Sequence, residues 1–287
     1  MTKCFTTLEV ERYKLGTLMK KKISFSRTVG SAIVQGKYNG SVIIDPKYKF
    51  SKRYLPHGKG ICTYKDGQIY KGIWKRGKRH GKGKLNWSNG DIYLGDWKND
   101  KPNGKGKFFF KQGFADMKKS DSYIGQVKDW LRHGRGTYTW VKQSMKYTGN
   151  WKNDKRHGYG EYKEDDSIYK GQWKDDRRWG KGKITIKKQH SISGNFRHTD
   201  LKGKVTMDFW KPVHITYDIK ARKYVGNIHN ETFQPHGRGI YILKNKKVVI
   251  GKWNNGKLLD GKTYHKKFVS YWKNGKIFKT KILKKVV

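Results

Sequence analysis

Cysteine is almost missing from this 287-residue chain. The two present, Cys4 and Cys62, match neither a disulfide framework nor a metal-binding pattern. Acidic residues are also scarce, with 22 Asp and Glu against 67 Lys and Arg, for a net charge of +45. No apolar run approaches the ~18 residues that a membrane-crossing helix needs. Hydrophobic residues make up only 34% of the chain, too few for a bulky aliphatic interior. No paired carboxylates, Ser/His/Asp or Cys/His arrangement stands out, so no enzyme class, cofactor or small-molecule substrate is indicated. The acidic group Glu161, Glu164, Asp165 and Asp166 reads as turn and surface. The opening residues are too short and too polar a stretch for a secretory signal.

Glycine and aromatic rings are plentiful instead, with 34 glycines and 14% aromatics, and they recur in one frame. Each unit opens with aromatic-x-Gly-x-aromatic, passes a short polar turn, then runs through His-Gly-x-Gly into a strand-like stretch. The opening residues are Tyr70, Tyr93, Tyr123, Tyr147, Tyr169, Ile192, Tyr224 and Val249, at intervals of 23, 30, 24, 22, 23, 32 and 25. A period of this length signals stacked supersecondary units, here one β-hairpin per repeat. Residues two apart in a strand share a face, so Tyr70, Gly72 and Trp74 point together, as do Gly81, Gly83 and Leu85. A ring can then lie over bare glycine in the neighbouring strand, in a sheet too thin for a conventional core.

This frame resembles the MORN-repeat family, whose unit reads roughly Y-x-G-x-W…G-x-x-H-G-x-G. Tyr70-Gly72-Trp74 with His80-Gly81-Gly83, and Tyr147-Gly149-Trp151 with His157-Gly158-Gly160, are the best matches. Asn103 and Trp179 replace the usual His, and Val127 and Ile228 the usual Trp. The units opening at Ile192 and Val249 are worn. The resemblance implies an all-β fold, a single curved antiparallel sheet of hairpins, serving as a scaffold or docking module and in some members bound to acidic phospholipid.

The expected layout is an irregular N-terminal extension over 1–33, a repeat array over 34–275 and a basic tail over 276–287. The array is cleanest over 54–188 and carries an inserted segment at about 206–223, where the alternation in VHITYDI suggests an additional strand. In the extension, Arg12, Arg27 and several hydroxyls suit a mitochondrial presequence, whereas Glu9 and Glu11 do not.

Charge points to a partner. By segment the balance is 10 basic to 3 acidic over 1–50, 36 to 15 over 51–200 and 21 to 4 over 201–287. Self-repulsion on this scale implies a polyanion. The residue between the paired glycines is Lys59, Lys82, Lys105, Arg135, Tyr159, Lys181, Lys204, Arg238 and Lys262, eight basic of nine. Two strands per repeat at ~4.8 Å each would set these rungs roughly 10 Å apart in a ladder on the side opposite the rings. The alternative reading is a solvated face, since the family pattern itself often places Lys here. The termini add Lys20, Lys21, Lys22, Lys279, Lys281, Lys284 and Lys285. His57, His80, His133, His157 and His236 are spaced too far apart for a shared metal and read as turn residues. Trp130, Trp140 and Trp210 suit either base stacking or local packing.

Three partner classes follow. In the leading one the chain binds rRNA and neighbouring proteins in an organellar ribosome, with a mitochondrial location. In the others it is a ciliary or cytoskeletal scaffold on acidic tubulin, or a peripheral adaptor on acidic phospholipid.

Overall fold

The computed structural model describes residues 19–29, 32–45, 53–111, 120–198, 200–216, 219–229, 232–243, 247–265 and 268–282. Side chains are described at all of these except 26–29, 32–34, 202, 210–216 and 219–220. The chain forms two compact units, divided between Asp154 and Lys155.

The first unit holds ten strands: β1 (Met19–Val29), β2 (Ala32–Ile44), β3 (Tyr54–Tyr64), β4 (Ile69–Lys75), β5 (Lys78–Asn86), β6 (Ile92–Lys98), β7 (Lys101–Phe110), β8 (Asp121–Lys128), β9 (Leu131–Trp140) and β10 (Met145–Lys152). Each pairs antiparallel with its neighbours in sequence, giving an open sheet of consecutive hairpins. The second unit follows the same rule with β11 (Lys155–Glu164), β12 (Ser167–Lys174), β13 (Arg177–Ile186), β14 (His190–Arg197), β15 (Asp200–Thr216), β16 (Ile219–Ile228), β17 (Pro235–Leu243), β18 (Val248–Asn254), β19 (Lys257–Tyr264), β20 (Phe268–Lys273) and β21 (Lys276–Ile282). Among the described residues there is no helix.

One side of each sheet is built of rings over glycine. In the first unit Tyr38, Tyr70, Tyr93, Tyr123 and Tyr147 are at most 1% exposed. Gly72 pairs with Gly83, and a methyl added to Gly83 would fall inside the Tyr70 ring and hydroxyl. Each ring removes about 150–250 Å² from water, a gross gain of about 4–6 kcal/mol at the usual coefficient. Two glycines cost about 1–2 kcal/mol together, so the ring outweighs the glycines it covers.

Polar ends of the rings close the backbone. The register shifts after Gly72, and there the Tyr70 hydroxyl donates to the Ile73 carbonyl at 2.9 Å. Tyr93, Tyr123 and Tyr147 make the same bond to Asp96, Gln126 and Asn150. Trp97 and Trp151 donate their indole N–H to the carbonyls of Gly83 and Gly136, both at 3.1 Å. In the second unit Tyr169 and Tyr224 bond Gln172 and Asn227, and Trp173 and Trp253 bond Gly160 and Gly239.

The hairpin turns on one margin take two residues with positive φ, such as Asn99 (50°) with Asp100 (73°) and Asp175 (50°) with Asp176 (68°). These are type I′ turns, whose twist matches the strands they join and which favour Asn, Asp and Gly. Neighbouring turns are then clamped together. Arg79 lies 4.4 Å over Trp97, its Nε donates to Asp100 Oδ1 at 3.3 Å, and its Nη2 donates to the Asp100 carbonyl at 2.9 Å. Arg132 repeats the clamp on Trp151 and Asp154, as does Arg156 on Trp173 and Asp176.

Two expectations about layout need correcting. The N-terminal extension is not irregular throughout, because β1 pairs with β2 and buries Ile23 and Phe25. It lacks the glycine frame but keeps the two-residue alternation that a strand requires. The inserted segment adds no separate strand either. It lengthens the β15–β16 hairpin, with register shifts absorbing the extra residues.

Candidate polyanion-binding face

The residue between two glycines of a strand faces away from the rings. In the first unit this places Lys59, Lys82, Lys105 and Arg135 in a row, all exposed. Across the strand pair they stand opposite Ile73, Asp96, Gln126 and Asn150. In the second unit Lys181, Lys204, Arg238 and Lys262 are likewise exposed, and Tyr159, at the same position, is 62% exposed.

Asp96 is the one carboxylate that faces the row of the first unit among the described residues. It holds the Lys82 ammonium at 2.5 Å and accepts the Lys105 backbone N–H at 2.9 Å. Partial burial pushes its carboxyl up, but the bonds from Lys82 and Lys105 outweigh that and leave it below the ordinary carboxylate range. Gln126 and Gln172 bond the backbone N–H of Arg135 and Lys181 with neutral side chains, leaving those rungs their charge.

A second basic row, not anticipated from sequence, runs on the other side of the glycines. Lys71 pairs with Lys84, Lys84 with Leu94, Leu94 with Lys107 and Lys107 with Ile124. The signal was present: Lys84 and Lys107 share the two-residue parity of Lys82 and Lys105. Between the rows the glycines form a stripe, Gly60, Gly72, Gly83, Gly95, Gly106, Gly125 and Gly136 standing in mutual register. Their Cβ positions point into the tyrosines, so on this side only backbone floors the stripe. The result is an open furrow of about 590 Å³ lined by Lys82, Leu94, Lys105, Lys107, Ile124 and Arg135.

The terminal lysines differ among themselves. Lys20 and Lys22 are exposed, while the Lys21 ammonium lies 4.0 Å over the Tyr54 ring on the inner side. Lys279 and Lys281 are exposed on β21, and Lys284 and Lys285 fall outside the described residues. The recurring histidines are not turn residues: His57, His80, His133, His157 and His236 lie within β3, β5, β9, β11 and β17, and His57 Nδ1 reaches a turn by accepting the Arg76 backbone N–H at 3.4 Å. No group of three His, Cys, Asp or Glu able to hold a metal exists among the described residues. Trp130 packs edge-on against Trp97 at 5.5 Å and Trp140 against Tyr138 at 4.4 Å, which is local packing; the Trp210 side chain is not among those described. Glu161 is held by Lys163 and Lys170 at the surface.

The MORN repeat family profile matches residues 52–69, 70–92, 93–113, 123–145, 147–163 and 169–190. Residues 52–190 are six MORN repeats. The side-chain bonds of the MORN frame continue past the matched span, at Tyr224 and Trp253. No curated protein matches the chain. Repeats of this family point to a scaffold.

Proposed function

We propose that this MORN-repeat chain is a non-enzymatic scaffold that docks through its ladder side on the phosphate backbone of a structural RNA, the rRNA of an organellar ribosome being the leading candidate. The observation that carries this reading is the ladder. Eight basic residues occupy one repeat position, the described ones all face solvent, and a single carboxylate opposes the row in the first unit. Such a surface neutralises phosphates without reading sequence. With a net charge of +45, the densest available polyanion is the best complement, and RNA carries more charge per length than tubulin or a bilayer.

The test is RNA binding as a function of salt, with Lys82, Lys105, Arg135 and Lys181 replaced by Ser. Four lost phosphate contacts should flatten the log–log salt slope by about three, with the fold retained. In cell extracts, the protein should co-sediment with ribosomal particles and be released by nuclease. Retention on microtubules, or flotation with acidic vesicles after nuclease treatment, would refute the reading.

A further inference from the structure

We infer that the furrow from Lys82 to Arg135 seats a single unpaired RNA strand rather than a duplex, an inference that rests on the RNA reading above. Three features of the furrow point to it, the first being width. Lys82 and Lys84 flank Gly83 two residues apart on β5, and Lys105 and Lys107 flank Gly106 on β7, so the Cα atoms of the two rims stand only about 6.6 Å apart along the strands. An A-form duplex carries its phosphates outside a core of stacked base pairs, a body far broader than this spacing. A double helix therefore touches the lysine tips and leaves the floor empty.

The floor is the second feature. Gly83, Gly95, Gly106 and Gly125 turn their Cβ positions toward the Tyr70, Tyr93 and Tyr123 rings or into the neighbouring strand. On the ladder side their peptide planes are bare, and a flat group can rest directly on backbone. One strand can follow this floor across the sheet, because β5 to β9 covers four strand spacings, about 19 Å.

Rim chemistry is the third. Leu94 and Ile124, each 47% exposed, alternate with Lys84 and Lys107 in the second row. Phosphates gain nothing from an aliphatic contact. An unpaired base does, and base faces are open only when the strand is not stacked in a helix. The ammonium groups of Lys82, Lys84, Lys105 and Lys107 and the guanidinium of Arg135 take the phosphates, while Leu94 and Ile124 take the bases between them.

The experiment is competition binding of the full chain to a labelled mixed-sequence RNA 20-mer, with the unlabelled single strand or the same strand annealed to its complement as competitor. The single strand should compete at least tenfold better per phosphate. Leu94→Ser with Ile124→Ser should weaken single-strand binding at least fivefold, with the thermal melt unchanged because both side chains are already exposed. Equal or better competition by the duplex, or unaltered single-strand affinity in the double variant, would overturn the inference and leave RNA docking standing. Binding to polyglutamate or to acidic vesicles but to neither RNA form would overturn both.

Discussion

Replacing Gly83 with alanine tests the ring-over-glycine construction directly. The new methyl would coincide with the hydroxyl and ring edge of Tyr70, which is 0% exposed. Overpacking of this kind costs about 1–3 kcal/mol. Moving the ring also pulls its hydroxyl off the Ile73 carbonyl, 2.9 Å away, for a further 0.5–1.5 kcal/mol or about that. The sum is about 1.5–4.5 kcal/mol, a large share of the stability of an ordinary domain. Urea denaturation followed by far-ultraviolet circular dichroism reads it as a lowered midpoint at constant slope. A double-mutant cycle isolates the cause. With Tyr70→Ile, the residue found at the equivalent position 192, the ring is gone and the Gly83→Ala cost should fall below about 1 kcal/mol. A Gly83→Ala protein within 0.5 kcal/mol or so of the parent, or an equal cost in both backgrounds, would refute the reasoning.

Asp96→Asn removes the carboxylate opposing the ladder and frees Lys82; since exposed ion pairs are worth about 0.2–1 kcal/mol, RNA affinity should rise about 1.4- to fivefold, read by the same binding assay, and an unchanged value would place Lys82 outside the contact. Burial holds the phenols of Tyr38, Tyr70, Tyr93, Tyr123, Tyr224 and Tyr241 above their ordinary range and pushes Tyr169 up to about 12. The folded state thus keeps protons that the unfolded chain releases near pH 10, so this contribution is complete below about pH 10 and is lost as pH rises toward the folded values. Phenolate absorbance should appear together with loss of β structure; ionisation near pH 10 without unfolding would contradict the burial.

Much of this was legible because the pattern is periodic and local. The spacing Tyr70-Gly72-Trp74 fixes which side of the strand carries the rings, and the side of Lys82 follows by parity alone. What escaped depends on register between strands. That Asp96 meets Lys82 requires knowing that Gly83 pairs with Gly95. The clamp between Arg79 and Asp100 joins residues 21 apart, and its recurrence at Arg132 with Asp154 and Arg156 with Asp176 is visible only once the turns are aligned. In sequence Lys20, Lys21 and Lys22 form one charged run, whereas strand alternation turns Lys21 inward onto Tyr54. β1 was missed for want of glycine, although a strand needs only alternation.

The arginine clamps have a bearing on how such a chain can lengthen or shorten. A clamped turn admits two residues and no more, because a third would carry the aspartate carboxylate out of reach of its guanidinium. On the opposite margin β7 ends at Phe110 and β8 begins at Asp121, so ten residues separate these strands where two separate β6 from β7. The clamped border of the first unit is therefore held to a fixed gauge, and a tag or foreign loop placed at Asn99 and Asp100 would break it.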